Sequence, residues 1–177
     1  FPHRPVFLPR GEDGAFDAGQ AHGPVLAGVF EGEAVFFYMG TPDGQKVPNI
    51  RPGGVGIARV REGRFVGMQA DGRGGYLLTR ELKVTGSRLE VNFEPRDASG
   101  FLRVRLLKRD ALARPDTAAP VLEGYDFADC DALDGDVTRA AVCWKGQDDL
   151  LALKGQSVFV HLQIHNGTVF GVRFADA

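Results

Sequence analysis

The near absence of helical periodicity is the feature that most constrains the fold. Short apolar or alternating runs, each bounded by Gly, Pro, Asp or Asn, recur along the whole chain, and such runs predict β-strands joined by tight turns. The 24 Gly and 10 Pro residues agree, since they make up about 19% of the 177 residues against a usual ~12%. We therefore predict an all-β protein. The one helical candidate is a single turn at 148–153, which Asp148 or Asp149 can cap.

Charge and hydropathy exclude two classes of partner. The formal net charge is -2, which gives no broad positive field for a phosphate backbone, so we expect no nucleic acid. No run approaches the roughly 18 apolar residues that cross a bilayer, so we expect no membrane partner. The chain begins at Phe1 without a signal-peptide pattern, which indicates a processed product or part of a longer chain. Cys130 and Cys143 could form one bridge but leave the compartment undetermined.

The first 72 residues predict one four-stranded antiparallel sheet. Residues 25–30 and 34–39 are separated by a loop short enough for a hairpin, and residues 55–60 and 64–69 form a second such pair. The Pro-rich and Gly-rich segment 41–54 joins the two hairpins. A lone sheet of this size cannot bury both of its faces. We therefore predict that residues 1–72 are a piece of something larger.

Residues 73–177 predict a β-sandwich. Leu102, Val104 and Leu106 alternate with polar neighbours, which indicates a strand with one buried face. Seven or so strands follow in this half, enough for two packed sheets; they lie at 76–79, 81–84, 88–94, 101–108, 140–144, 157–164 and 168–174.

An ordered set of short motifs resembles a known family. The motifs run through nearly the whole chain: PVFLPRGEDGAFD (5–17), GPV (23–25), FYMG (37–40), GVGIA (54–58), GRFV (63–66), GYLLT (75–79), LEVN (89–92), LRV (102–104), DCD (129–131), GD (135–136), WKG (144–146) and VFGVRF (169–174). Together they resemble the last blade and the C-terminal sandwich of bacterial glycosidase-like five-bladed β-propeller proteins. The resemblance implies a partial propeller blade followed by a jelly-roll-like β-sandwich.

The resemblance also implies a carbohydrate-related parent whose catalytic carboxylates come mainly from earlier blades. Glycoside hydrolysis needs two carboxyl groups set across one bond, and this chain supplies no convincing pair. We therefore expect no catalytic residue here and a structural, accessory role, with carbohydrate or the remainder of the parent propeller as partner. The alternatives are a stand-alone carbohydrate-binding (lectin-like) module, and a protein-interaction module with a large apolar patch.

Four residues are candidates for carbohydrate binding. Asp17 could bind sugar hydroxyls or cap a strand through an Asx turn, and His22 could present a neutral imidazole nearby. Trp144 could be a stacking platform or a filler of the sandwich core. Tyr38 carries the same ambiguity. Exposure of Trp144 would favour the binding role, whereas burial would favour the structural one.

Two further groups have weaker functional interpretations. Five aspartates crowd positions 126–136 and could bind calcium, but their spacing departs from the EF-hand loop, which favours a solvated acidic loop. We otherwise expect no cofactor. His161, Gln163 and His165 fall on one face of a strand, where they could form a polar binding strip or lie on an exposed outer face. Four residues span about 13 Å, too far for both imidazoles to ligate one metal.

Overall fold

The computed structural model describes residues 6–44, 51–108 and 120–176. The described residues form antiparallel β-sheets, none of them closed, and one short 3-10 helix, which confirms the all-β class. Among them no helix is long and apolar enough to span a bilayer. Contacts divide the chain into two compact units, residues 1–65 (unit 1) and 66–177 (unit 2), whereas the sequence placed the boundary after residue 72.

Unit 1 contains a three-stranded sheet. Its strands β1 (Gln20–Phe30), β2 (Glu33–Thr41) and β3 (Gly54–Arg61) lie in the order β1-β2-β3. Glu31 and Gly32 join β1 to β2 with φ of 51° and 78°. Positive φ at both residues is the conformation of the two-residue turns that match strand twist. The predicted first hairpin is confirmed.

The predicted fourth strand, residues 64–69, is wrong for this sheet. The chain does turn at Gly63, with φ of 76°, but Phe65 then packs its ring against Phe36 at 5.7 Å and lies near Phe7 at 6.3 Å. The segment therefore crosses over a sheet face instead of extending beside β3. The next strand, β4 (Met68–Ala70), pairs in unit 2.

One face of the unit 1 sheet carries large exposed apolar side chains. Val25, Phe37 and Ile57 form one cross-strand row, and Met39 pairs with Val55 in the next. All five are exposed, with Ile57 at 59%. Side chains two apart on a strand share a face, so these residues form a continuous surface, the open apolar face.

Unit 2 contains two four-stranded sheets. In the first, β5 and β6 pair with successive parts of one edge of β10 and β8 pairs with its other edge. The second has the order β4-β11-β7-β9. The new strands are β5 (Gly75–Leu78), β6 (Leu82–Lys83), β7 (Arg88–Pro95), β8 (Phe101–Lys108), β9 (Val137–Ala141), β10 (Ser157–His165) and β11 (Gly167–Ala175). A short 3-10 helix at Leu151–Leu153 precedes β10.

A single apolar core lies between these two sheets. Val104 and Leu162 contribute from the first sheet, and Leu89 and Phe93 from the second, all fully buried. Leu89 and Val91 alternate along β7 as Val160 and Leu162 do along β10. Unit 2 is therefore sandwich-like, with each sheet covering the apolar face of the other.

Asn166 joins β10 to β11 and so links the two sheets. Its φ is 43°, a left-handed value that Asn tolerates better than most residues. Its backbone N–H donates to the carbonyl of Asp71 at 3.0 Å, and its own carbonyl accepts from the N–H of Arg96 at 2.8 Å. Its side-chain amide donates to Oγ of Ser99 at 3.1 Å. These bonds fix the turn.

Candidate functional site

Buried Asp17 and half-buried Tyr38 form one hydrogen-bonded pair in unit 1. The Tyr38 hydroxyl donates to Oδ2 of Asp17 at 2.7 Å, and Asp17 is 6% exposed. The hydrogen bond to the carboxylate raises the pKa of Tyr38, with burial as a second cause. A Cβ at Gly11 or Gly40 would collide with Asp17, and one at Gly56 would collide with the Tyr38 ring. The pair therefore anchors the segment before β1 to the sheet.

His22 lies apart from that pair. It is exposed on β1 and lines an open depression of about 910 Å³ with Arg10, Asp13 and Gln20. Neither Asp17 nor Tyr38 lines this depression. The structure thus brings Asp17 and Tyr38 together and places His22 on a different surface of the same unit.

Trp144 lies in the core of unit 2. Its ring is 3% exposed, and its Nε1–H donates to the carbonyl of Val104 at 2.9 Å. The ring of Tyr125 meets it edge-on with centroids 5.1 Å apart. Both faces of the indole are therefore used for packing, and the ring offers no platform to a ligand from solvent.

Three of the aspartates of 126–136 are engaged in contacts within the fold, two of them with the turn at residues 145–146. Asp129 pairs with Lys145 at 2.6 Å, Asp131 accepts the N–H of Gly146 at 2.8 Å, and Asp126 accepts the N–H of Phe127. The ion pair and its hydrogen bond lower the pKa of Asp129. Across the described ranges, no group of three or more His, Cys, Asp or Glu side chains is arranged to hold a metal ion.

The cysteines are two free thiols within unit 2. Cys130 is buried, and its Sγ accepts the backbone N–H of Val104 at 3.2 Å. Burial raises the pKa of Cys130 to about 11. At neutral pH the thiol is therefore protonated, and it lacks the thiolate character that nucleophilic catalysis requires.

The outer face of the β5-β10-β8 sheet brings together polar and aromatic side chains that are far apart in sequence. His161, Gln163 and His165 of β10 do share this face, because they pair in register with Arg105, Arg103 and Phe101 of β8. On the other side, Gln163 pairs with Tyr76 of β5. Phe127 approaches from the loop after β8. The β10 outer face is defined here as Tyr76, Arg103, Arg105, Phe127, His161 and Gln163.

His161 is at the centre of a small aromatic cluster on this face. The rings of Tyr76 and Phe127 lie 5.4 Å and 5.2 Å from its ring, and they leave His161 only 5% exposed. Nε of Arg105 donates to Nδ1 of His161 at 3.0 Å. Burial, and then the charge of Arg105, lower the pKa of His161. The imidazole is therefore held neutral, with its proton on Nε2.

Arg103 and Arg105 on this face differ in the partners of their guanidinium groups. The Arg105 guanidinium lies 4.7 Å from the Phe127 ring centroid and pairs with Asp126 at 3.8 Å. The Arg103 guanidinium lies 5.5 Å from the ring of Phe101. In the part of the chain that the structure describes, Arg103 has no ion pair.

Sequence reasoning identified the β10 strip but missed its neighbours. The alternation of His161, Gln163 and His165 was the available signal. Tyr76 and Phe127 lie far from this strip in sequence, and only the strand pairing and the loop after β8 bring them to it.

Comparison with known proteins identifies no relative, because the chain matches no family, no curated protein and no solved structure.

Proposed function

We propose that this chain is the C-terminal accessory part of a glycosidase-like carbohydrate-active protein, without a complete active site of its own. In this proposal unit 1 is the end of a β-propeller, and the jelly-roll-like sandwich of unit 2 is a structural support. The open apolar face carries the proposal. Exposed contiguous apolar surface usually marks a contact with another protein surface, and a neighbouring blade would present the apolar sheet face that fits it.

The edges of the same sheet support the proposal. Among the described residues, β1 and β3 each pair on one side only, with β2 between them. The sheet is therefore one strand short of a four-stranded blade, and it has two edges at which a further strand could add. A three-stranded sheet with one exposed apolar face gains stability from a partner that covers it.

The carboxylates support a role without catalysis. A glycosidase needs one carboxyl group whose pKa is raised, so that it can act as general acid. Among the residues that the structure describes, six carboxyl groups have a clearly displaced pKa, and in each the displacement is downward: Asp43, Asp71, Glu90, Asp97, Asp129 and Asp176. The buried position of Trp144 also favours the structural role over a sugar-binding one for that residue.

The open apolar face can be tested with a charged pair. Phe37 and Ile57 are cross-strand neighbours, so Phe37→Glu combined with Ile57→Lys places opposite charges side by side, an arrangement that sheets tolerate. We expect the whole chain to bind an apolar fluorescent dye and to self-associate in sedimentation runs. The double variant should do neither and should keep its melting temperature.

The matched control adds the same charges elsewhere. Gln69→Glu with Gln147→Lys alters two exposed side chains of unit 2 and should leave dye binding and self-association unchanged. If the wild-type chain is monomeric and binds no dye, or if the charged pair on Phe37 and Ile57 unfolds it, the face is already covered and the proposal fails.

A second candidate function is a stand-alone carbohydrate-binding module. One observation favours it: Tyr76 on the β10 outer face is 66% exposed, and the polar side chains of His161 and Gln163 lie beside its ring. An apolar ring face beside hydrogen-bonding groups suits a sugar ring.

A further inference from the structure

We propose that the β10 outer face binds an acidic saccharide, with the Tyr76 ring as platform and Arg103 as the partner of the sugar carboxylate. The inference rests on the second candidate function, carbohydrate binding, and names its ligand class. It does not depend on the open apolar face of unit 1.

The platform is a ring held in place from several sides. Phe127 lies 6.0 Å from the Tyr76 ring and His161 lies 5.4 Å from it, while Nε2 of Gln163 donates to the Tyr76 hydroxyl at 3.3 Å. The ring nevertheless remains 66% exposed. A fixed ring loses little freedom when a ligand stacks on it, which favours binding.

Polar groups stand one and two strand spacings from the platform. Arg103, Gln163 and Tyr76 form one row across three neighbouring strands, and neighbouring strands lie about 4.8 Å apart. A ligand on Tyr76 would therefore meet the Gln163 amide on the neighbouring strand. The backbone of Arg103 is roughly 10 Å from that of Tyr76, and the long arginine side chain can bring its guanidinium to the ligand.

The charge favours an acidic ligand over a neutral one. Arg105 already donates to His161 and pairs with Asp126, so its charge is largely used within the fold. Arg103 is exposed, and within the described ranges it has a ring contact but no carboxylate partner. A guanidinium suits a carboxylate because it can donate two parallel hydrogen bonds.

The same charge argues against nucleic acid. Single-stranded nucleic acid also stacks on exposed aromatic rings, but it requires a positive groove that follows many phosphates. Within the described part of the chain Arg103 has no carboxylate partner, Asp126 adjoins Arg105, and the chain as a whole carries a net charge of -2. A short saccharide with one carboxylate per sugar fits this surface better.

The test uses the whole chain and three probes. These are a trimer of galacturonic acid, the same trimer with its carboxylates methyl-esterified, and a ten-residue single-stranded oligonucleotide. Calorimetry should show binding of the acidic trimer, with the ester at least about tenfold weaker because a charge-assisted hydrogen bond is lost. The oligonucleotide should bind no better than the ester.

Histidine ring signals localise the ligand on the unaltered protein. The chain has four histidines, of which His161 and His165 lie on the outer face of this sheet and His22 lies in unit 1. The acidic trimer should shift the ring resonances of His161 and His165 and leave those of His22 in place. This measurement needs no variant and therefore cannot fail through misfolding.

Variants then separate the platform from the charge. Arg103→Gln should weaken binding of the acidic trimer about tenfold to hundredfold and leave binding of the ester unchanged. Tyr76→Ala should weaken both sugars, whereas Tyr76→Phe should keep most of the affinity. Arg59→Gln, which removes an exposed charge in unit 1, is the matched control and should change nothing.

The possible failures are distinguishable. Equal binding of trimer and ester would overturn the acidic ligand class but leave carbohydrate binding standing. Tighter binding of the oligonucleotide, or no binding of either sugar, would overturn both. Shifts at His22 in place of His161 would overturn the location.

Discussion

The sheets of units 1 and 2 use the same alternating pattern with opposite results. In β10, Val160, Leu162 and Ile164 are fully or almost fully buried, because a second sheet of the same unit lies against them. In β3, Val55 and Ile57 alternate in the same way and are exposed. Alternation therefore specifies that one face is apolar, but the presence of a second layer decides whether that face is buried.

The largest expected effect tests the buried side of this comparison. Trp144→Ala removes a core ring and its hydrogen bond to Val104, and it should lower the free energy of unfolding by roughly 3–5 kcal/mol. A loss of this size approaches the whole stability of a small domain. Denaturation followed by circular dichroism measures it. An unchanged melting curve would contradict the assignment of Trp144 to the core.

A smaller effect is expected at the Glu90 carboxylate of unit 2. Glu90 is buried and accepts a hydrogen bond from Nε of Arg173 at 2.8 Å, and this bond lowers the pKa of Glu90 despite burial. Glu90→Gln should therefore cost about 1–3 kcal/mol of unfolding free energy at pH 7.

The stabilisation by Glu90 should depend on pH. Because the folded-state pKa of Glu90 is lowered, its stabilisation is fully present above the unfolded pKa and is lost as the pH falls through the folded one. Wild type and Glu90→Gln should therefore converge in stability at acid pH. Glu123→Gln, at an exposed position, is the control. A difference that stays constant down to pH 2 would count against the charge as the cause.

A still smaller effect is expected for the Asp17–Tyr38 pair of unit 1. Asp17→Asn keeps an acceptor for Tyr38 but removes its charge, at a cost of about 1 kcal/mol. The raised pKa of Tyr38 should then fall toward its usual value, which ultraviolet titration detects. In the wild type, stabilisation by this pair is present at neutral pH and is lost as the pH rises through the folded pKa of Tyr38.

The same variant tests the absence of catalysis. Because Asp17 is engaged with Tyr38, we expect neither the wild type nor Asp17→Asn to hydrolyse aryl glycosides. Turnover by the pure wild-type protein that disappears in Asp17→Asn would make Asp17 catalytic and would overturn the accessory role.

The smallest expected effect, at Ile57, sharpens the comparison most directly when it is set beside the same change at a buried residue. Ile57→Ala and Ile164→Ala are the same chemical change at residues that are 59% and 3% exposed. The change at Ile164 should cost roughly 2–5 kcal/mol, whereas the change at Ile57 should stay within about 0.5 kcal/mol. Urea denaturation of both variants measures the difference. Similar losses would show that the open apolar face is covered in solution.

Local patterns predicted much of the strand content. The first hairpin is confirmed by the register of β1 and β2. The turn predicted at 148–153 is a 3-10 helix at Leu151–Leu153, and Asp149 just before it accepts the N–H of Leu151. These features depend on neighbours in sequence, such as the Glu31-Gly32 turn. Their physical causes are therefore visible in the chain itself.

Features that depend on distant contacts were not predictable in this way. Residues 64–69 alternate well enough for a strand, but packing of Phe65 on Phe36 and pairing of Met68 with Val169 decide where they go. His161 was placed on the correct face, yet its burial depends on Phe127. The identity of unit 1 as part of a propeller stays a prediction.

The Asn166-Gly167 turn has a chemical consequence for the ageing of the protein. Asn followed by Gly is prone to deamidation, in which the glycine nitrogen attacks the side-chain amide and ammonia leaves. Here the bonds to Asp71, Arg96 and Ser99 hold backbone and side chain in place. Ring closure therefore requires the turn to open. The deamidated fraction at Asn166, measured by peptide mass, should thus increase with the total time for which the link between the two sheets has been unfolded.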